Sequence, residues 1–253
     1  MYRRATLLTI CLTLIALAVS LHPGMAATPL SLGEALLREV DQRLQPESYE
    51  SYRKLINIEP DGRRKEFVFY GAKKGRDSVL MLFLEPATER GRTTLRLGDN
   101  MWLYIPSVGK PIRITSLQSV TGGVFNNADI MSLDYSVEYS VTSQSKDGDH
   151  TVLDLKAKTK TVAYDRLKMW VDLTRKLPVK IECYAATGLL IKTLRFSDVK
   201  DFGDGVVRPS VVETDSPLQK GYRSIMVFAT VTPRPLDDEV FTLSFLPKVD
   251  TLR

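Results

Sequence analysis

Residues that could support nucleophilic or acid–base catalysis are few in this sequence. The chain contains two histidines, His22 and His150, and His150 follows Asp149 in a polar segment that predicts a turn. A Ser-His-Asp triad would have to use that turn histidine. The sequence has no Gly-x-Ser-x-Gly elbow, no His-Glu-x-x-His run and no glycine-rich phosphate loop. We therefore predict that the protein is not an enzyme, with a hydrolase that uses two carboxylates as the catalytic alternative.

The two cysteines predict neither a disulfide nor a metal site. Cys11 lies in an N-terminal apolar run, and Cys183 lies in 179–184, where apolar and polar residues alternate. This alternation places Cys183 on the apolar side of a strand, so we predict a buried, unreactive thiol. A zinc site needs several His or Cys ligands. The acidic segments 147–149 and 201–205 are typical of turns, with calcium loops as the alternative, and we predict no metal and no cofactor.

The N-terminus has the layout of a secretory signal peptide. Two arginines precede an apolar run over 5–21, and Gly24-Met25-Ala26 places small residues before a cleavage site after Ala26. We predict a signal peptide over 1–26, export to the periplasm and a single mature domain over 27–253. A retained membrane anchor is the alternative, because this run is near the lower length limit for a membrane span.

The charge of the chain does not indicate a nucleic-acid partner. The net charge is +5, and Arg3 and Arg4 of the predicted signal peptide contribute to it. The densest basic run, Arg63-Arg64-Lys65, falls at a predicted turn and has no interleaved aromatic residues. We predict no nucleic-acid partner, and we expect a monomer.

Hydrophobic periodicity predicts one helix followed by strands. Leucine and valine residues over 30–46 form one apolar stripe after a capping box at Ser31 and Glu34. From residue 63 the period changes to two. We predict strands at 63–71, 78–84, 91–97, 101–105, 110–115, 135–143, 150–157, 166–173, 179–185, 189–197, 206–213 and 222–232. About a dozen short strands with turns between them indicate a mainly β fold, either an antiparallel barrel or a strongly curved sheet.

Residues 116–134 interrupt the strands. Gly122-Gly123 can act as a hinge, and Asn126-Asn127 can cap a short helix through 129–133. We predict a lid over a binding site, with a packed Ω-loop as the alternative.

Several strands carry a charge-free face of large, flexible side chains, which is the surface that an acyl chain requires. We predict that a cavity is lined by Phe67, Phe69, Leu80, Leu82, Leu84, Met101, Leu103, Ile105, Met131, Leu133, Leu167, Met169 and Val171. The alternative is a filled β core, which has the same pattern. If the domain instead docks on a partner, we expect exposed aromatic residues such as Trp170 or Tyr222 to mark the surface.

The segment from Asp99 to Lys110, with Trp102-Leu103-Tyr104-Ile105-Pro106 at its centre, resembles the LolA-like outer-membrane lipoprotein-sorting proteins. The insertion 122–134 and the ending 238–246 are also similar to that family, and the resemblance covers nearly the whole mature chain. It resembles the broader branch of the family more closely than the dedicated lipoprotein carrier. The carrier's ligand-gating arginine is not assigned to a residue of this sequence.

The resemblance implies a half-closed antiparallel β-barrel with helices or loops over its mouth, a cavity for acyl chains and no catalytic residues or cofactor. It implies a periplasmic carrier that binds the acyl chains of a lipoprotein or lipid and ferries them toward the outer membrane. The alternative is a non-catalytic accessory or sensor module that docks onto an inner-membrane exporter.

Overall fold

The computed structural model describes residues 31–119 and 121–253. The predicted signal peptide over 1–26 and its cleavage site lie outside the described residues. Within the described ranges, no helix is long and apolar enough to cross a membrane.

The described residues form thirteen strands, which belong to one antiparallel sheet in the order β6-β5-β4-β3-β2-β1-β13-β12-β11-β10-β9-β8-β7. The strands are β1 Ser48–Ile58, β2 Arg64–Lys74, β3 Ser78–Glu85, β4 Thr93–Leu97, β5 Asn100–Tyr104, β6 Ile112–Ile114, β7 Tyr139–Asp147, β8 His150–Ala157, β9 Arg166–Asp172, β10 Leu177–Tyr184, β11 Leu190–Asp201, β12 Val207–Asp215 and β13 Arg223–Pro233. Pairing of β1 with β13 joins the two halves of the sheet. The two edge strands, β6 and β7, do not pair with each other, so the sheet is not closed, which confirms the predicted half-closed antiparallel barrel.

The chain between the two edge strands has to travel from one edge of the sheet to the other. β6 ends at Ile114 and β7 begins at Tyr139, and these strands are consecutive in sequence. We call residues 115–138 the connector. It contains two short helices, α2 (Asn127–Ile130) and α3 (Tyr135–Glu138). Its apolar side chains join the core on one face of the sheet, so it crosses that face.

Helix α1 (Leu32–Leu44) covers the same face. The Ser31 hydroxyl caps it by accepting a hydrogen bond from the Glu34 amide at 3.2 Å, and its buried stripe includes Leu37 and Val40. The helix packs against α3, β7, β10 and β12. These contacts confirm the predicted amphipathic helix within one or two residues of its expected ends.

The sheet has an apolar cluster on each face. The inner face is the one covered by α1 and the connector. The outer face is covered by the C-terminal segment 236–252, which forms 3-10 helices at Asp238–Phe241 and Leu246–Leu252. A sheet that is apolar on both faces requires cover on both.

The structure differs from the sequence prediction at two elements. β1 was not predicted, because Tyr, Ser, Arg, Leu and Asn occupy its five buried positions, and such a set does not alternate in hydrophobicity. The strand predicted over 135–143 begins with helix α3, whose first backbone amides are capped by a side chain from α1. Both differences lie where polar side chains reach the inner face.

Candidate functional site

A cavity of about 80 Å³ lies between the inner face of the sheet, the end of α1 and the connector. Most of its wall is apolar and comes from residues such as Leu133, Leu167, Ile181, Leu194 and Met226. Ligand pockets for drug-sized molecules usually measure about 300–1,000 Å³. In this arrangement the cavity therefore holds only a small part of an acyl chain, and a longer chain requires the connector to move.

Hydrogen bonds hold the middle of the connector on the central strands. The Asn57 side chain donates to the Thr121 carbonyl at 3.1 Å, and the Val124 amide donates to the Ser224 hydroxyl at 2.9 Å. Gly123 lies against Asn57 so closely that an added Cβ would stand 2.0 Å from the Asn57 Oδ1 atom. Only glycine allows the connector to approach β1 in this way.

A buried ion pair fixes helix α2. Asn126 and Asp129 form a capping box at its start. The Asp129 carboxylate pairs with Lys192 Nζ at 2.8 Å and accepts a hydrogen bond from the Tyr164 hydroxyl at 2.9 Å. Lys192 also donates to the Val124 carbonyl. A carboxylate and an ammonium group buried together are tolerated because each satisfies the other.

Two further buried cations are paired with carboxylates where the connector ends. Lys73 contacts Asp134 at 2.8 Å, and Arg96 pairs with Glu138. Burial raises the pKa of the Glu138 carboxyl, and Arg96 acts against this rise. The connector is thus held by charge pairs as well as by its apolar side chains.

Two buried arginines have no such partner. Arg53 on β1 and Arg208 on β12 line the cavity and are each 5% exposed. Neither has an acidic side chain within 4.0 Å in the part of the chain that the structure describes. Arg53 Nη1 donates to the Ile130 carbonyl at 3.1 Å, and Arg208 donates to the Leu44 carbonyl. They therefore bind the last carbonyls of α2 and α1, where helix dipoles favour positive charge.

Both guanidinium groups stack on the same ring. Arg53 lies 4.8 Å and Arg208 4.1 Å from the centre of the Phe228 ring. Burial lowers the pKa of Arg53, and it lowers the pKa of Arg208 to about 10. The positive charge of Arg53 also contributes to the lowered pKa of Arg208, because like charges repel one another.

The predicted cavity residues fall into four groups, the last of which lies on the outer face of the sheet. Leu133 and Leu167 line the cavity. Phe67, Phe69, Met101, Met131, Met169 and Val171 belong to the inner core but lie away from the cavity wall. Leu103 is buried on β5 at two-residue spacing from Met101, and the half-buried Ile105 follows the end of that strand. The observed wall belongs mainly to the other half of the sheet, from β1 and β13 to β9.

Leu80, Leu82 and Leu84 were predicted on the wrong face of the sheet. Leu80 and Leu82 are buried in the outer cluster, and Leu84 packs against it. Phe83 is the β3 residue that pairs with Phe69 and joins the inner core. β3 is apolar on both faces, so its period does not distinguish inside from outside.

The residues with catalytic or docking potential are dispersed. His150 begins β8 next to a turn, and Cys183 is buried in the cavity wall, where burial strongly raises the pKa of its thiol. Residues 31–119 and 121–253 hold no cluster of three or more His, Cys, Asp or Glu side chains that could bind a metal ion. Trp170 is buried and donates to Asp147 at 2.8 Å, contrary to the prediction of an exposed aromatic, whereas Tyr222 is 37% exposed.

The polar residues of the site were not predicted from the sequence. Arg53 lies on the unpredicted strand β1, and Arg208 and Lys192 lie on predicted strands without being singled out. A signal was available: arginine or lysine at an inward position of an alternating strand is rare unless the residue is paired or functional.

Solved structures of other proteins share this architecture. A LolA superfamily protein from Nitrosomonas europaea superposes with a TM-score of 0.76 at 26% identity, covering 84% of this chain and 98% of that one. A putative outer membrane lipoprotein-sorting protein domain from Vibrio parahaemolyticus gives 0.72 at 19% identity, covering 85% and 98%. A DUF1329 family protein from Desulfovibrio piger gives 0.73 at 23% identity, covering 85% and 97%. The last two comparisons show the fold alone.

An open antiparallel sheet, a connector that crosses its inner face and a cavity between them define the LolA-like class of proteins. No curated protein matches this sequence significantly. A family model described as "-like: Uncharacterized protein" matches residues 75–248, more than half of the chain. The chain belongs to this family, in the broader branch of the LolA superfamily.

Proposed function

We propose that the protein is a non-catalytic periplasmic carrier that binds the acyl chains of a lipoprotein or lipid and ferries them toward the outer membrane. The observation that carries the proposal is the apolar cavity enclosed between the inner face and the connector. The solved structure from Nitrosomonas europaea, 26% identical to this chain, is of a LolA superfamily protein, which supports the same role here.

The energetics of this function need no specific polar contact to the chain. Burying one methylene group contributes about 0.8 kcal/mol, so several methylenes suffice for useful affinity. The adaptable side chains Leu194 and Met226 in the wall suit a flexible ligand. The protein then has only to shield the acyl chain from water during transit, and no reaction is required.

Access to the cavity depends on the connector. The cavity of about 80 Å³ has to enlarge before a long chain fits. Arg53 holds the carbonyl at the end of α2, and Asn57 holds the carbonyl of Thr121. Release of these bonds would let the connector lift from the sheet, with Gly122, at φ +70°, beside its docking point.

The remaining elements of the proposal come from the sequence. A signal peptide over 1–26 delivers residues 27–253 to the periplasm as one lipid-binding domain, and the domain acts as a monomer. The cargo is an acylated lipoprotein or a free lipid handed over at the inner membrane.

The first experiment is native mass spectrometry of the mature chain purified from a periplasmic extract, followed by organic extraction. We expect a bound acyl-containing mass that extraction releases. A protein that carries no lipid and takes up no added fluorescent fatty acid would contradict the carrier and favour an accessory module for an exporter.

Two substitutions test the cavity in opposite directions. Ala163→Leu fills it and should abolish uptake of a fluorescent fatty acid, whereas Leu194→Ala enlarges it and should increase uptake. Ala186→Leu in an exposed turn is the matched control. If both cavity variants bind like the control, the cavity is a packing void and not the ligand site.

The connector is tested at its glycines. Gly123→Ala places a Cβ against Asn57 and should detach the connector, whereas Gly122→Ala meets no atom within 4 Å and adds only the local backbone strain of an alanine at φ +70°. We expect faster amide exchange over 121–130 and faster ligand uptake in Gly123→Ala than in Gly122→Ala. Equal behaviour of the two variants would exclude the connector as the gate.

A further inference from the structure

Among the described residues, the two buried arginines differ from every other buried cation on the inner face. Lys73, Lys192 and Arg96 each contact a carboxylate, at 2.8 Å for the two lysines. Arg53 and Arg208 are buried to a similar degree without one. Leaving a buried charge unpaired is costly, and proteins retain such charges mainly where they serve a function.

Every hydrogen-bond acceptor of this arginine pair within the described ranges is neutral. Arg53 donates to the Ser51 hydroxyl at 3.0 Å and the Tyr49 hydroxyl at 3.4 Å, besides its bond to a connector carbonyl. Arg208 donates to the backbone carbonyls of Leu44 and Pro209, the latter at 3.4 Å, and it also lies within hydrogen-bonding reach of the neutral Tyr49 hydroxyl. Residues 1–30 and residue 120 include no Asp or Glu, so the rest of the chain cannot supply the missing anion.

The carboxylates in the cavity wall do not balance the arginines. Asp129 is already paired with Lys192 and hydrogen-bonded by Tyr164. Glu138 is already paired with Arg96. Two positive charges therefore remain in an apolar cavity. Both arginines line the same cavity and lie against the ring of Phe228. A guanidinium group matches the planar oxygens of a carboxylate or a phosphate.

We propose that Arg53 and Arg208 bind the oxyanion headgroup of a single-chain lipid, a carboxylate or a phosphate, whose acyl chain occupies the adjoining apolar cavity. This inference rests on the proposed carrier function and names its ligand class. The headgroup would replace the neutral acceptors of the two arginines and remove the cost of their burial. One pair of cations suits one anion, and the cavity of about 80 Å³ takes up the full chain only when the connector lifts.

The test compares headgroups on one chain. Binding of palmitic acid, of palmitoyl lysophosphatidic acid and of hexadecanol is measured by displacement of a fluorescent lipid probe. We expect the wild-type protein to bind at least one of the two anionic lipids about tenfold more tightly than the alcohol, because only an anion forms an ion pair with the guanidinium groups in addition to hydrogen bonds. The two anionic lipids together distinguish a carboxylate from a phosphate preference.

Variants assign this preference to the two arginines. In Arg53→Met/Arg208→Met the anion preference should disappear while hexadecanol still binds, and Arg208→Lys should retain part of it. Arg195→Met, exposed and paired with Asp215, is the matched control and should keep the full preference. If the double variant does not fold, the two single variants serve, each with a reduced ratio of acid to alcohol affinity.

The outcomes separate this inference from the carrier function. Equal binding of acid, phosphate and alcohol by the wild-type protein would overturn the headgroup site and leave the carrier intact. An anion preference that is undiminished in both single variants would also overturn it. If no lipid binds, the carrier function itself fails, and the headgroup site fails with it.

Discussion

The two apolar clusters of the sheet have similar buried side chains but different polar content. The outer cluster packs Leu80, Leu82 and Leu95 against Phe241 and Leu246. The inner cluster surrounds a cavity and encloses five buried cations, two of them without a carboxylate. Buried charge in an apolar setting reduces stability unless it is compensated. The outer face is therefore built for stability, and the inner face carries the features expected of a binding site.

The largest effect expected from this comparison is on the outer face. Phe241→Ala removes a ring that is 5% exposed and should lower the free energy of unfolding by about 3–5 kcal/mol. Lipid affinity should stay unchanged wherever the variant is folded, because the opposite face holds the cavity. Urea denaturation and lipid titration check the two halves of this prediction. A loss of lipid affinity in folded Phe241→Ala would show that the two faces are coupled.

A comparable but smaller effect is expected from the ion pair beneath the connector. Lys192→Met leaves the Asp129 carboxylate buried without its partner at 2.8 Å, and the free energy of unfolding should fall by about 3 kcal/mol. The double variant Lys192→Met/Asp129→Asn should recover part of this loss, since it removes the unpaired charge. Chemical denaturation of the three proteins measures the recovery. If the double variant is no more stable than the single one, the pair does not act as a unit.

The smallest effect is a pH dependence from Asp41 on α1. Burial raises the pKa of this carboxyl from 3.8 to about 6, and its hydrogen bonds from the Tyr135 and Ser136 amides only partly oppose this. The folded protein thus binds this proton more tightly than the unfolded chain. The stabilising contribution is complete below about pH 4 and is lost as the pH rises through about 6.

In Asp41→Asn this dependence should disappear. Between pH 4 and pH 6.5 the wild-type protein should lose roughly 2–3 kcal/mol of stability relative to the variant. Urea denaturation across this range measures the difference, with Asp77→Asn, at an exposed position, as the control. Parallel pH profiles for wild type and Asp41→Asn would mean that Asp41 stays solvated, and that α1 and the connector are less tightly docked than their hydrogen bonds indicate.

Much of the architecture could be predicted because hydrophobic periodicity within a helix or strand depends only on residues that are close in sequence. The stripe of α1 and the alternation of β8 to β13 depend only on neighbouring residues. β1 was not predicted because its inward positions include the polar residues Ser51, Arg53 and Asn57, which break the apolar alternation. Arg53 and Asn57 are polar because they bind carbonyl groups of the connector. The side of β3 could not be predicted, because both of its faces are apolar and a one-residue shift exchanges them.

The sequence by itself determined the β-rich class, the helix at its start, the irregular segment after β6 and the lack of catalytic motifs, since each follows from composition and local spacing. Only the tertiary structure decided which leucines face the cavity and which face the C-terminal segment. It alone brought Arg53 and Arg208 together, from strands 155 residues apart, onto the ring of Phe228. The reason is physical: a sheet that pairs its first strand with its last places distant residues side by side, and no local pattern records that pairing.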